Sequence, residues 1–166
     1  MPMQAYMSVK GRKQGQFHSE TAQNKRKDSI PILAFQMGLV SPRDGASGQA
    51  TGKRMYKPVI ITKEWGASSP QGLTACSTNE DLQDVTIEFF KTNPNGQQYA
   101  SQTIRLTDAN IVEIERFTRA QDGTLLLSAG NQDTLELETW AFTFRKIEVD
   151  DNPTSISFVD DWSVVT

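Results

Sequence analysis

The sequence predicts a mainly β protein: a closed β-barrel or sandwich of two sheets, with one short flanking α-helix and one long extended loop. Three observations carry this reading. Short runs rich in β-branched and aromatic residues recur along the chain, with side chains alternating at a period of two. Helix-start chemistry, a capping hydroxyl followed by proline, stands out at Ser68-Ser69-Pro70. Residues 41–57 hold Pro42, Gly45, Gly48 and Gly52 among few apolar residues, a loop longer than structural connections usually are.

Residues 3–9 alternate weakly and form a first strand that stops at Lys10-Gly11. The polar stretch 11–28, with the basic run Lys25-Arg26-Lys27, is a loop. In the strand 30–39, Ile30, Ile32 and Ala34 share one face, while Leu33, Phe35, Met37 and Leu39 share the other. Both sides are apolar, which suits a strand covered on both sides, or one packed on one side and engaged in an assembly on the other. Pro31 near its start fits an edge. Gln36 is the polar residue on the Ile30 face.

After the extended loop, Val59-Ile60-Ile61-Thr62 is a strand core. A helix over 70–78 presents Leu73, Cys76 and Leu82 on its apolar side. Val85, Ile87 and Phe89 alternate in a further strand, and Asn93-Pro94-Asn95-Gly96 turns it into a hairpin with 99–106. Ile111, Ile114, 125–127 and 135–144 add strands, and Ile156, Phe158 and Trp162 belong to a closing one.

The chain has 166 residues, of which 37% are hydrophobic, enough for one domain spanning 1–166 with a buried core. No apolar run approaches the roughly 20 residues of a membrane helix, so no membrane insertion is expected. The first residues lack the apolar stretch of a secretory signal peptide. Cys76 is the single cysteine, which excludes an internal disulfide and fits a reducing cytoplasm. The net charge of −3 hides an asymmetry. Residues 1–58 carry ten Lys/Arg against Glu20, Asp28 and Asp44, a balance of +7, and the rest carry seven bases against seventeen acids, −10. Such halves suit a nucleic-acid-binding arm, complementary surfaces for self-association, or ordinary solvated charge.

Chemistry-bearing motifs are near misses. Ser47-Gly48-Gln49-Ala50-Thr51-Gly52-Lys53-Arg54 approaches a phosphate-binding loop, but that motif needs glycine in place of Ser47 and Ser/Thr in place of Arg54. One histidine, His18, and one cysteine leave no His/Cys metal cluster and no strong nucleophile pair. Glu113/Glu115 and Glu136/Glu138 alternate as the solvent faces of strands do. The basic run lacks interleaved aromatics, so nucleic acid is not an expected partner. No catalytic residue, metal or cofactor is assigned.

A resemblance covers nearly the whole chain. It is carried by Ser41-Pro42-Arg43-Asp44-Gly45-Ala46-Ser47-Gly48-Gln49-Ala50-Thr51-Gly52-Lys53-Arg54 followed by Lys57-Pro58. It continues at Ile61-Thr62-Lys63-Glu64-Trp65, Ser68-Ser69-Pro70 and Thr78-Asn79-Glu80. Leu106-Thr107-Asp108-Ala109-Asn110-Ile111, Phe142-Thr143-Phe144-Arg145-Lys146-Ile147-Glu148 and Asp160-Asp161-Trp162 complete it. In this order and spacing they resemble the Hcp (haemolysin-coregulated protein) family, the tube-forming proteins of bacterial type VI secretion systems. Tyr56 stands where many relatives have histidine, a departure expected to matter little.

The resemblance implies a non-enzymatic β-barrel protomer that assembles into a hexameric ring. Rings would stack into a hollow tube that is propelled within a sheath, is tipped by a spike protein and carries effectors. Arg43, Asp44, Ser47, Gly48, Gln49, Thr51, Gly52, Lys53 and Arg54 would then be ring-stacking contacts, and Gln36 a contact with effector in the lumen. Export from the bacterial cytoplasm would proceed through the type VI system without a signal peptide. With four residues after Trp162, no appended toxin domain is expected. The basic and acidic halves are expected on opposite ring faces, since head-to-tail stacking joins unlike surfaces. The alternative reading is a secreted Hcp-like effector or adaptor acting outside a persistent tube.

Overall fold

The computed structural model describes residues 4–18, 28–120 and 134–162. Ten strands and one helix follow in the order β1 (Gln4–Gly11), β2 (Gly15–Gln16), β3 (Ile30–Ile32), β4 (Ala34–Val40), β5 (Met55–Glu64), α1 (Ser68–Thr78), β6 (Leu82–Thr92), β7 (Gln98–Ala120), β8 (Thr134–Thr143), β9 (Lys146–Asp151) and β10 (Ile156–Asp161). Lys25-Arg26-Lys27 and residues 125–127 lie outside the described residues.

The strands form two antiparallel walls. In the first, β1 pairs with β2 and β3 on one side and with β6 on the other; β7, β9 and β10 follow. In the second, β7, β8, β5 and β4 lie side by side. One strand belongs to both. β7 pairs with β6 and β9 up to Ala109 and with β8 from Asn110 onward, so it turns the corner between the walls. Asp108 takes a left-handed φ of 51° at that corner, and the register slips again between Ile111 and Glu113. Bends and bulges of this kind let one strand switch sheets. The sequence reading divided this strand because its alternation breaks at the corner.

The second corner inverts an expectation. The chain passes from β3, paired with β1, to β4, paired with β5, through a bend at Leu33, whose N–H donates to the Thr62 carbonyl at 2.7 Å. The bend flips the parity of the side chains. Ile30 and Ile32 are buried, but so in part are Phe35 and Met37, while Ala34 and Gln36 face outward. Gln36 therefore does not share a face with Ile30 and Ile32, since a period of two holds only within an unbroken strand.

Inside, Met7 and Val9, Val85 and Ile87, Ile104 and Leu106, Val59 and Ile61, and Trp140 and Phe142 form one buried cluster. Each such side chain contributes on the order of 1.5–3 kcal/mol by leaving water. The hairpin at 93–97 forms as expected, but as a longer loop in which Gly96 alone takes positive φ, 81°.

The helix α1 differs from expectation in two ways. Its buried side is Ser68, Ser69, Gly72 and Ala75, whereas Leu73 is exposed and Cys76 only partly buried; Leu82 belongs to β6. Small residues are needed because the helix lies against Trp140: a Cβ on Gly72 would stand 2.4 Å from the indole. Nor does a side chain cap the helix. The Ser69 hydroxyl instead accepts from the Gly66 N–H at 3.0 Å and donates to Glu138 at 2.7 Å. Asn79, left-handed at φ 54°, ends the helix.

Candidate assembly surfaces

The extended loop, residues 41–54, is shorter than the expected 41–57 because β5 already begins at Met55. Its tip holds itself together. Arg43 and Ala50 form a β-bridge, and the Asp44 N–H donates to the Gln49 carbonyl and the Gly48 N–H to the Asp44 carbonyl, both at 2.8 Å. The Asp44 carboxylate accepts from the Ser47 hydroxyl at 2.7 Å and from the N–H groups of Ala46 and Ser47. The Ser47 hydroxyl, followed by the Ala46 N–H, holds the Asp44 carboxyl below its ordinary range. Gln49, Thr51, Gly52 and Lys53 are fully exposed, and neither Arg43 nor Lys53 makes an ion pair among the described residues. The structure thus gathers the sequence-predicted loop residues into one protruding hairpin.

Arg54 is the member that turns back to the body. Its guanidinium donates to both carboxylate oxygens of Asp160, at 2.6 and 2.7 Å, and to the Asp161 carbonyl at 3.2 Å. The Tyr56 hydroxyl donates to the same Asp160 carboxylate at 2.5 Å. The Tyr56 ring meets Phe144 and Trp162 edge-on, with centroids 5.1 and 5.8 Å away. Tyr56 therefore matters more than its departure from the family pattern suggested: its phenol is part of the loop's footing.

Nearby, at the β7 corner, the Asp108 carboxylate accepts from Arg12 at 2.6 Å and Arg145 at 2.8 Å. Arg145 also pairs with Asp161. The hydrogen bond from Arg145 leads the effects that hold Asp108 below the usual carboxylate range. These pairs overturn the idea of segregated charge. Arg12, just after β1, and Arg54, just before β5, from the basic half sit beside Asp108 of β7 and Asp160 of β10 from the acidic half.

Two unlike sheet edges are open. On the second wall, β4 pairs only with β5 among the described residues, and exposes Leu39 and Val40 beside Met55. On the first wall, β10 pairs only with β9, and exposes Ile156, Phe158 and Val159 on both of its faces. The outward face of the second wall mixes polar, small and apolar residues: Gln36 is opposite Ile60, which is opposite Ala141, opposite Glu113 on β7. Ala34, Thr62, Thr139 and Glu115 form the next row. α1 does not cover this face, since it packs on the inward-pointing Trp140.

One further group was not legible as a site. Glu138, read as a solvent-face carboxylate, is fully buried with Lys63, the Nζ of which lies 2.8 Å from it. Glu136 keeps the expected exposure. His18 is exposed, and its backbone N–H donates to Gln71. No helix among the described residues is long and apolar enough to cross a membrane.

A family model described as "Type VI secretion system effector, Hcp" matches residues 6–150. The chain belongs to the Hcp family. Similar to this Hcp chain is the "Major exported protein" of Pseudomonas aeruginosa, 36% identical over 98% of the chain and 96% of that protein. The secreted protein Hcp3 of Pseudomonas aeruginosa has a solved structure that superposes with a TM-score of 0.76 at 29% identity, covering 97% of this chain and 99% of that one. Hcp1 of E. coli EAEC 042 has the same fold, with a TM-score of 0.81 at 22% identity, over 97% and 99% of the two chains. The fold expected from the sequence, a two-walled β structure with one helix, is thus the Hcp fold, and this is an Hcp protein of type VI secretion.

Proposed function

We propose that this Hcp chain is a tube subunit: copies join into hexameric rings, rings stack into a hollow tube, and the tube carries effectors outward through the type VI system. One observation carries the reading: the second wall is a four-stranded sheet with an outward face that no element among the described residues covers, and an exposed apolar strand, β4, at one edge. An exposed apolar edge strand is a liability in a lone protomer and invites pairing. Joining unlike edges is a heterologous contact, which closes into a ring when the rotation allows. The uncovered face with Gln36 would then line the lumen, and the hairpin 42–51 would project toward the next ring. Spike and sheath proteins and effector cargo are the partners this assignment entails.

Sedimentation of the purified protein tests the assembly. A dominant species with the mass of a hexamer is expected; monomer at every concentration would favour the other reading, an effector released singly. That second reading has the family description, which uses the word effector, in its favour.

A further inference from the structure

The hairpin at 42–51 is a self-contained unit: among the described residues, its hydrogen bonds all lie within the segment. Such a unit moves as one body about its base unless the base is tied. Among the described residues, Arg54 makes that tie, and the body's side of it is Asp160 near the end of β10. The pairing is bidentate and partly shielded, with 28% of the Arg54 side chain and 17% of the Asp160 side chain exposed. This planar geometry fixes direction as well as distance, unlike an exposed single-contact ion pair. The Tyr56 hydroxyl closes the third side of the carboxylate. Asp160 is also on β10, which among the described residues pairs only with β9 and exposes Ile156, Phe158 and Val159. The base of the loop is therefore held by an edge strand of the first wall.

We propose that Asp160 is a positioning residue for the extended loop: through Arg54 and Tyr56 it sets the direction in which the hairpin leaves the body, so that presenting the hairpin to a second copy depends on β10 being in place. The second copy rests on the tube reading; the tie between β10 and the loop does not. Losing a charge-assisted bidentate contact frees the base by roughly tenfold or more.

Limited trypsin digestion reads the tie, because Lys53 is exposed immediately before Arg54. Cleavage after Lys53 should quicken roughly tenfold in Asp160→Ala and in Arg54→Gln. Cleavage after Arg105, within the paired part of β7, should not change, which separates positioning from general loss of stability. The double variant should be no faster than either single one, since both remove one contact. Electron microscopy of the same samples should show rings for all, with stacked rings depleted in the variants. Unchanged cleavage after Lys53 overturns the proposal, as does undiminished stacking where cleavage has quickened. If the unaltered protein forms no rings, the tube reading fails, while the digestion still decides whether Asp160 holds the loop.

Discussion

The ammonium of Lys63 lies 2.8 Å from the carboxylate of Glu138, and neither side chain retains any exposed surface. Ser69 donates to the same carboxylate oxygen at 2.7 Å, and Arg116 donates to the other at 3.0 Å. Lys63 also donates to the Glu64 carbonyl at 2.6 Å and stands 5.4 Å from the Trp140 ring centre. This network joins β5, α1, β8 and β7, and so fixes the helix against the second wall.

Burial alone would raise the Glu138 carboxyl, but hydrogen bonds from Lys63 and Ser69, with the charges of Lys63 and Arg116, outweigh it and hold the group below its ordinary value. A depressed carboxyl stabilises the fold above its unfolded value and loses that contribution as pH falls through the depressed one. Replacing Lys63 by Met leaves a buried carboxylate with a single charged partner, and should cost about 3 kcal/mol in urea unfolding at neutral pH. The double variant with Glu138→Leu should recover most of that loss. A double variant as unstable as Lys63→Met would contradict the account.

Tyr56 gives a second pH signature. Burial first, and then the hydrogen bond to Asp160, push its phenol up to about 12. A raised phenol stabilises the fold fully below its unfolded value, near 10, and loses that contribution as pH climbs through the folded one. Tyrosinate absorbance should therefore show a late ionisation that belongs to Tyr56. In Tyr56→Phe the late step should vanish. Its persistence would contradict the assignment to Tyr56.

Most of the fold is legible in the sequence because alternation is a local property. The β6–β7 hairpin, the β5 core and the closing strand all follow from period-two patterns. What alternation cannot show is a change of partner within a strand. The bend at Leu33 and the left-handed Asp108 each carry a strand from one wall to the other, and the first reversed the face assigned to Gln36. Glu138 was misread for a related reason: Glu136 and Glu138 share a period but not an environment, since α1 and Lys63 cover only the second. The extended loop was visible from its glycines and prolines, whereas its tie to Asp160 spans 106 positions and leaves no local mark.

Gln36 tests the lumen assignment. It is exposed on the outward face of β4, opposite Ile60, away from the core cluster. Replacing it by Glu should change retention of co-expressed effector on purified rings while protomer stability stays within about 0.5 kcal/mol. Loss of the ring itself would place Gln36 in a subunit contact and refute the lumen role.

Negative-stain imaging of the purified protein tests the central claim most directly. The account predicts six-fold rings with an open centre, some of them stacked end to end. Fields of single compact particles without a central opening, at every concentration tried, would contradict it.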